Sequence, residues 1–199
     1  MFYNSYTVSV ANDTFDWERI IDHSKYECFG QQVLYFKERA VRFIRIESVD
    51  GYLEIDEKIE ALFATNPFEI DPVTTLTVPT RNIIPNKMLP KWKSTTGNGF
   101  TTGIHFSNGE VIQRKGDVII YQFSQPYIIG SLKLLFSDIR SYVISVKAND
   151  NWTRVFSEKN VSGWRTATFE KQPVVFIQIR DTAPLTNIYN LFKLECPAT

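Results

Sequence analysis

The sequence predicts an all-β chain, folded as an antiparallel sandwich or barrel, and three observations lead there. Apolar and polar residues alternate with a period of two in several short runs, the pattern that places one face of a strand on a core. These runs are bounded by Gly, Pro, Asn or Asp and recur at short intervals, with almost nothing of helical period between them. One block of the chain also returns far downstream in the same internal order, so the architecture is built from a repeated unit.

Taken in order, Tyr6, Val8 and Val10 alternate with Thr7 and Ser9 and predict the first strand. Gln31 to Phe36 is the next run of branched and aromatic residues and predicts a second. Ile55 to Ala64 has helical spacing, with Ile55, Ile59, Leu62 and Phe63 on one side, although the register of the repeat places a strand there. Asn66-Pro67-Phe68-Glu69-Ile70-Asp71-Pro72 carries two prolines and no alternation, so it predicts a linker. Beyond it, Asp117 to Phe123, Ser131 to Phe136 and Tyr189 to Leu194 predict strands, as do Val175, Ile177 and Ile179 alternating with Phe176, Gln178 and Arg180.

The repeat orders these elements. Ser5-Tyr6-Thr7-Val8-Ser9-Val10 returns as Ser141-Tyr142-Val143-Ile144-Ser145-Val146, and Trp17-Glu18-Arg19 returns as Trp152-Thr153-Arg154. Phe36-Lys37-Glu38 corresponds to Phe169-Glu170-Lys171, and Phe43-Ile44-Arg45-Ile46 to Phe176-Ile177-Gln178-Ile179, the offset drifting only from 136 to 133. The copies are unequal, because some 70 residues precede Ser141 within the second and four precede Ser5. The expected organisation is a partial unit over residues 1–66, a linker over 67–72 and a complete unit over 73–199. The second unit is long enough to bury a core of its own.

Composition narrows the function classes. The chain has 199 residues, 43% hydrophobic and 22% charged, which excludes disorder and fibrous repeats. Its net charge is zero, so no overall field draws it to nucleic acid or an anionic membrane. The zero hides an asymmetry: residues 1–70 carry 7 basic against 13 acidic side chains, residues 71–199 carry 15 against 9. Such halves attract one another or different partners. The opening residues lack a signal peptide's basic start and apolar run, and no stretch is long and apolar enough to span a bilayer, so a cytoplasmic protein is expected. Cys28 and Cys196, far apart and without ligand spacing, are expected as free thiols.

Chemistry has little to work with. The two histidines, His23 and His105, have no neighbouring His or Cys at metal-ligand spacing. Asp22-His23-Ser24 holds the letters of a catalytic triad, but consecutive residues of an extended chain point in opposite directions, and the segment reads as a polar turn. The candidate binding loop is Lys87 to Phe100. Lys87, Lys91 and Lys93 surround Trp92 there, ahead of a Gly-rich tip that ends at Phe100, a composition suited to acidic peptides or anionic headgroups. Trp17, Trp152 and Trp164 recur at strand ends and are expected in the core.

Several stretches carry a family resemblance: Trp17 to Cys28, Val41 to Ile46, Gln125-Pro126-Tyr127-Ile128-Ile129-Gly130-Ser131, and the ending Phe192-Lys193-Leu194-Glu195-Cys196-Pro197. They resemble the discoidin, or F5/8 type C, domains of BTB/BACK/discoidin proteins, and the likeness runs over nearly the whole chain. It implies a galactose-binding-like jelly-roll sandwich of eight strands, here one partial and one complete copy. It also implies a binding module of a cullin-3 ubiquitin-ligase adaptor, the cullin contact belonging to a BTB domain that this sequence does not contain. The family's Trp-Gln pair stands as Trp164-Arg165 in the second copy and as Gln31-Gln32 in the first, so the first is the more eroded. The expectation is thus a non-enzymatic binding module without cofactor, metal or catalytic residues, with a protein partner. The rival is a carbohydrate- or phospholipid-binding discoidin module.

Overall fold

The computed structural model describes residues 4–49, 59–63, 68–84, 104–106, 109–115, 118–182 and 191–197. Every regular element among them is a strand: β1 (Tyr6–Ala11), β2 (Glu18–Asp22), β3 (Phe43–Ser48), β4 (Glu69–Ile70), β5 (Thr77–Val78), β6 (Ile104–Phe106), β7 (Gly109–Lys115), β8 (Val118–Lys147), β9 (Thr153–Asp181) and β10 (Leu191–Glu195). They form a three-stranded sheet in the order β2-β1-β3 and a seven-stranded sheet built on β8 and β9.

β8 and β9 are too long to be straight. At about 3.3 Å per residue, 30 residues of β8 would reach roughly 100 Å, so the strand turns corners, and its ladder with β9 is interrupted between Gln122 and Tyr127 and between Phe136 and Arg140. The result is two layers. In one, residues 176–181 of β9 lie between 118–122 and 142–147 of β8, with β7 beyond 118–123 and residues 153–158 beyond 142–147. In the other, residues 131–136 lie between 163–168 and β10.

The alternation read from the sequence decides which side chains lie between the layers. Along 132–136 and 142–146 every second residue is buried, and Tyr121, Phe123, Ile144, Ile177 and Ile179 of one layer join Leu132, Leu134, Phe136, Ala167 and Leu194 of the other in one cluster. This is the all-β antiparallel jelly-roll sandwich that the resemblance implied. At Gly130 the two long strands approach so closely that a Cβ would lie 2.7 Å from Lys171 Cγ and 3.2 Å from the Phe169 carbonyl oxygen, so a larger residue would displace the Lys171 side chain and press on the neighbouring strand.

The three-stranded sheet repeats part of the larger one, pair for pair. Tyr6 faces Ser48 and Val8 faces Ile46, as Tyr142 faces Asp181 and Ile144 faces Ile179. On the other side Val8 faces Ile21 and Ser9 faces Arg19, as Ile144 faces Phe156 and Ser145 faces Arg154, with the register shift at the same step in both copies. A shared bulge is a specific structural feature. It shows that the repeat preserves the pairing as well as the strands.

Three expectations need correction or completion. Gln31 to Phe36 is not a strand: residues 31–41 carry no regular structure. Its counterpart 164–169 is a strand because 131–135 pairs with 164–168, and among the described residues the first copy offers no such partner. The helical spacing of residues 55–64 produces no helix over the described part, residues 59–63, where Leu62 and Phe63 are exposed. Within the expected linker, Glu69–Ile70 form β4 and pair with β5, and the Asp71 carboxylate accepts hydrogen bonds from the Thr74 amide (2.8 Å) and hydroxyl (2.6 Å).

The two sheets meet along a seam. The buried Gln125 carboxamide accepts a hydrogen bond from the Val33 amide (3.0 Å) and donates one to the Val33 carbonyl (3.1 Å), imitating a neighbouring strand. Beside it the Phe29 amide donates to the Ser124 carbonyl (3.0 Å), and Tyr26 packs on Val118, Ile120, Val175 and Phe176. The ion pairs Arg19–Asp22 and Arg45–Glu47 lie within the first part, and Lys133–Glu195, Arg140–Asp181 and Arg165–Glu158 within the second.

Candidate functional site

The residues singled out for a binding loop, Lys87, Lys91, Trp92, Lys93 and Phe100, lie outside the described residues. What the structure does describe is a polar cluster in each copy and two exposed tryptophans set against lysines.

In the first copy the Asp22-His23-Ser24 turn divides as alternation requires. The Asp22 carboxylate accepts hydrogen bonds from the Ser24 amide (3.0 Å) and hydroxyl (2.5 Å), which hold its carboxyl below the usual range. His23 points inward, 2% exposed, with Nδ1 3.1 Å from the Tyr6 hydroxyl and 3.6 Å from Cys28 Sγ, and the Tyr6 hydroxyl donates to Gln32 Oε1. A Cys–His nucleophile needs a thiol lowered and an imidazole raised in pKa. Here burial does the reverse, pushing the Cys28 thiol up to about 12 and His23 down to about 4. Both are neutral near pH 7, so the pair packs a core and activates nothing.

The second copy builds the same place differently. By the repeat, Tyr6, His23 and Gln32 correspond to Tyr142, Glu158 and Arg165. The Tyr142 hydroxyl donates to Glu158 Oε2 (2.8 Å), and Arg165 grips the same carboxylate through Nε (3.1 Å) and Nη2 (2.5 Å). These bonds, that from Arg165 foremost, lower the Glu158 pKa, while burial first and Glu158 second raise that of Tyr142. Nearby, Arg140 (9% exposed) pairs with the buried Asp181 carboxylate at 3.2 Å. Every carboxylate in this region is already committed to a cation or hydroxyl. Among the described residues no group of three or more His, Cys, Asp or Glu is placed to hold a metal ion.

The tryptophans depart from the sequence reading. Trp164 is 44% exposed and Trp152 38%, so neither belongs to the core. Each lies under cations instead: Lys147 Nζ is 5.8 Å from the Trp152 ring centroid, and Lys133 and Lys193 place their ammonium groups 5.1 and 5.4 Å from that of Trp164. Glu195 binds both lysines of the second set, Lys193 at 2.8 Å and Lys133 at 3.8 Å. All four residues belong to three adjacent strands, with Trp164 facing Leu135, and Lys133 facing both Thr166 and Glu195. They form a surface on the outer side of the second layer. The signal was present in the sequence, since Lys133 and Lys193 occupy the phase opposite to Leu132, Leu134 and Leu194, but it emerges only once the strands are set side by side.

No protein-family model matches the sequence. Several solved structures are similar to part of it: a family 32 carbohydrate-binding module of a family 31 glycoside hydrolase from Clostridium perfringens (15% identity over 56% of this chain and 93% of that one, TM-score 0.36), and the family 32 module of NanJ from the same organism in complex with galactose (14% identity, 42% and 68%, TM-score 0.33). At these TM-scores the likeness bears on neither ligand nor site. Among sequences, the chain is 34% identical over 97% of its length to BTB/POZ domain-containing protein 9 of Mus musculus and 33% identical to that of Homo sapiens, in each case covering 34% of the relative. The protein of that name from Drosophila melanogaster is 28% identical over 97% of the chain and 29% of its own length. Thus the chain, over nearly its whole length, is a homologue of one region of BTB/POZ domain-containing protein 9, a region that makes up about a third of those relatives.

Proposed function

We propose that the chain is a non-enzymatic binding module that recruits a protein partner in the cytoplasm, the substrate-recruitment region of a BTB-type cullin-3 ubiquitin-ligase adaptor. The observation that carries the binding reading is Trp164, an indole left 44% exposed between two lysines on a sheet face. A large aromatic presented among cations is the composition of an interface hot spot and serves no core. Homology to a region of a BTB/POZ protein supports the adaptor context. The same reading assigns Lys87, Lys91, Trp92, Lys93 and Phe100 as a second contact surface on composition.

The test is affinity capture with the wild-type chain beside Trp164→Ala and Lys133→Glu/Lys193→Glu, followed by measurement of binding to the recovered protein. An anchoring Trp is worth about 2 kcal/mol or more, so Trp164→Ala weakens binding roughly thirtyfold, while its exposure leaves the thermal midpoint within about 2 °C. Equal binding by all three chains, or binding to a glycan array in place of protein, overturns the reading.

A further inference from the structure

β3 and residues 176–181 are the same strand of the repeat, with the same register against their inner neighbours, but their outer edges differ. In the second copy Val118–Gln122 pairs antiparallel with Phe176–Arg180, and Ile177 is buried to 0%. In β3 the equivalent residue is also isoleucine, Ile44, and it is 41% exposed; among the described residues no strand pairs with that edge. The first copy therefore keeps a core-type side chain at a position where the second copy supplies a cover.

The other layer shows the same gap. Residues 163–168 pair with 131–136, whereas their counterparts 30–35 form no strand, and the Val33 main chain is bonded to the Gln125 carboxamide. In the second copy one continuous segment, β8 from Val118 to Phe136, makes both contacts.

We propose that the outer edge of β3 is an acceptor for an extended polypeptide segment, added antiparallel in the place that Val118–Gln122 takes in the second copy. The register follows from the offset of 133. A residue in the place of Ile119 faces Ile46, and one in the place of Tyr121 faces Ile44. The occupant has branched or aromatic side chains at those two alternate positions, as Ile119 and Tyr121 are in the second copy, while the residues in the places of Val118 and Ile120 face Glu47 and Arg45. Main-chain hydrogen bonds supply the affinity of such strand addition and alternate side chains its specificity. This surface is separate from Trp164, and its occupant is a strand rather than a folded face.

The experiment titrates the isotopically labelled 199-residue chain with a synthetic peptide carrying DVIIYQF, residues 117–123, flanked by lysines for solubility. The expected result is saturable binding with new hydrogen-exchange protection at alternate amides of residues 43–47, and no binding of a scrambled peptide that puts polar residues in the places of Ile119 and Tyr121. Ile44→Lys reduces affinity about tenfold or more and, because Ile44 is already partly exposed, retains the wild-type spectrum elsewhere. The scrambled peptide keeps the test valid whether or not that variant folds. Absence of saturation up to millimolar peptide, equal binding of the scrambled peptide, protection located away from β3, or self-association of the chain through β3 without peptide each overturns the proposal.

Discussion

Replacing Gln125 by alanine separates the contribution of the seam from that of the two cores. Gln125 is 1% exposed, and its carboxamide satisfies both main-chain groups of Val33 at 3.0 and 3.1 Å. Each such hydrogen bond contributes about 1 kcal/mol net, and the buried stem adds packing, so Gln125→Ala costs about 2–3 kcal/mol. For a chain of this size about 1 kcal/mol moves the midpoint by about 2–4 °C, so the expected fall is about 5–10 °C if the chain unfolds as one unit. Gln125→Glu costs at least as much, because a carboxylate oxygen then opposes the Val33 carbonyl. The readouts are a thermal melt and hydrogen exchange at Phe29 to Tyr35, which should lose protection before β8 and β9 do. A midpoint within about 1 °C of wild type, with unchanged exchange at Phe29 and Val33, would refute the view that this carboxamide holds the first copy on the second.

Three further expectations come from buried groups and from the repeat. His23 has its folded pKa lowered from 6.5 to about 4 by burial, so between those values the unfolded chain binds the additional proton. Stability is full above about pH 6.5 and declines by up to about 3 kcal/mol as pH falls to about 4; denaturant melts of wild type and His23→Gln at several pH values should show the slope weakened in the variant. Arg140→Met removes the guanidinium that pairs with the buried Asp181 carboxylate and should cost about 3–5 kcal/mol, most of it regained in Arg140→Met/Asp181→Leu, as measured by urea unfolding. Residues 68–199 expressed alone should melt cooperatively, whereas residues 1–66 should not, since among the described residues no strand pairs with the Ile44 edge of their sheet.

Alternation along a strand is a local property, and the sequence alone determined everything that depends on it. It determined that His23 and Asp22 point apart and that residues 5–46 and 141–179 are one unit twice over, and the structure adds that the two copies share their pairing register and bulge. The resemblance added the sandwich class. Only the tertiary structure decided what depends on a partner. Gln31 to Phe36 has the residues of a strand, yet forms none, because a strand exists by bonding to a neighbour and the main-chain groups of Val33 are met by the Gln125 side chain instead. Trp164 has the hydrophobicity of a core residue, but the phase of its strand turns it outward beneath Lys133 and Lys193, which belong to strands distant in sequence. Ile44 and Ile177 are the same residue at the same register, and their different burial follows the neighbouring strand and the facing layer that surround Ile177, which no window of sequence around either residue contains.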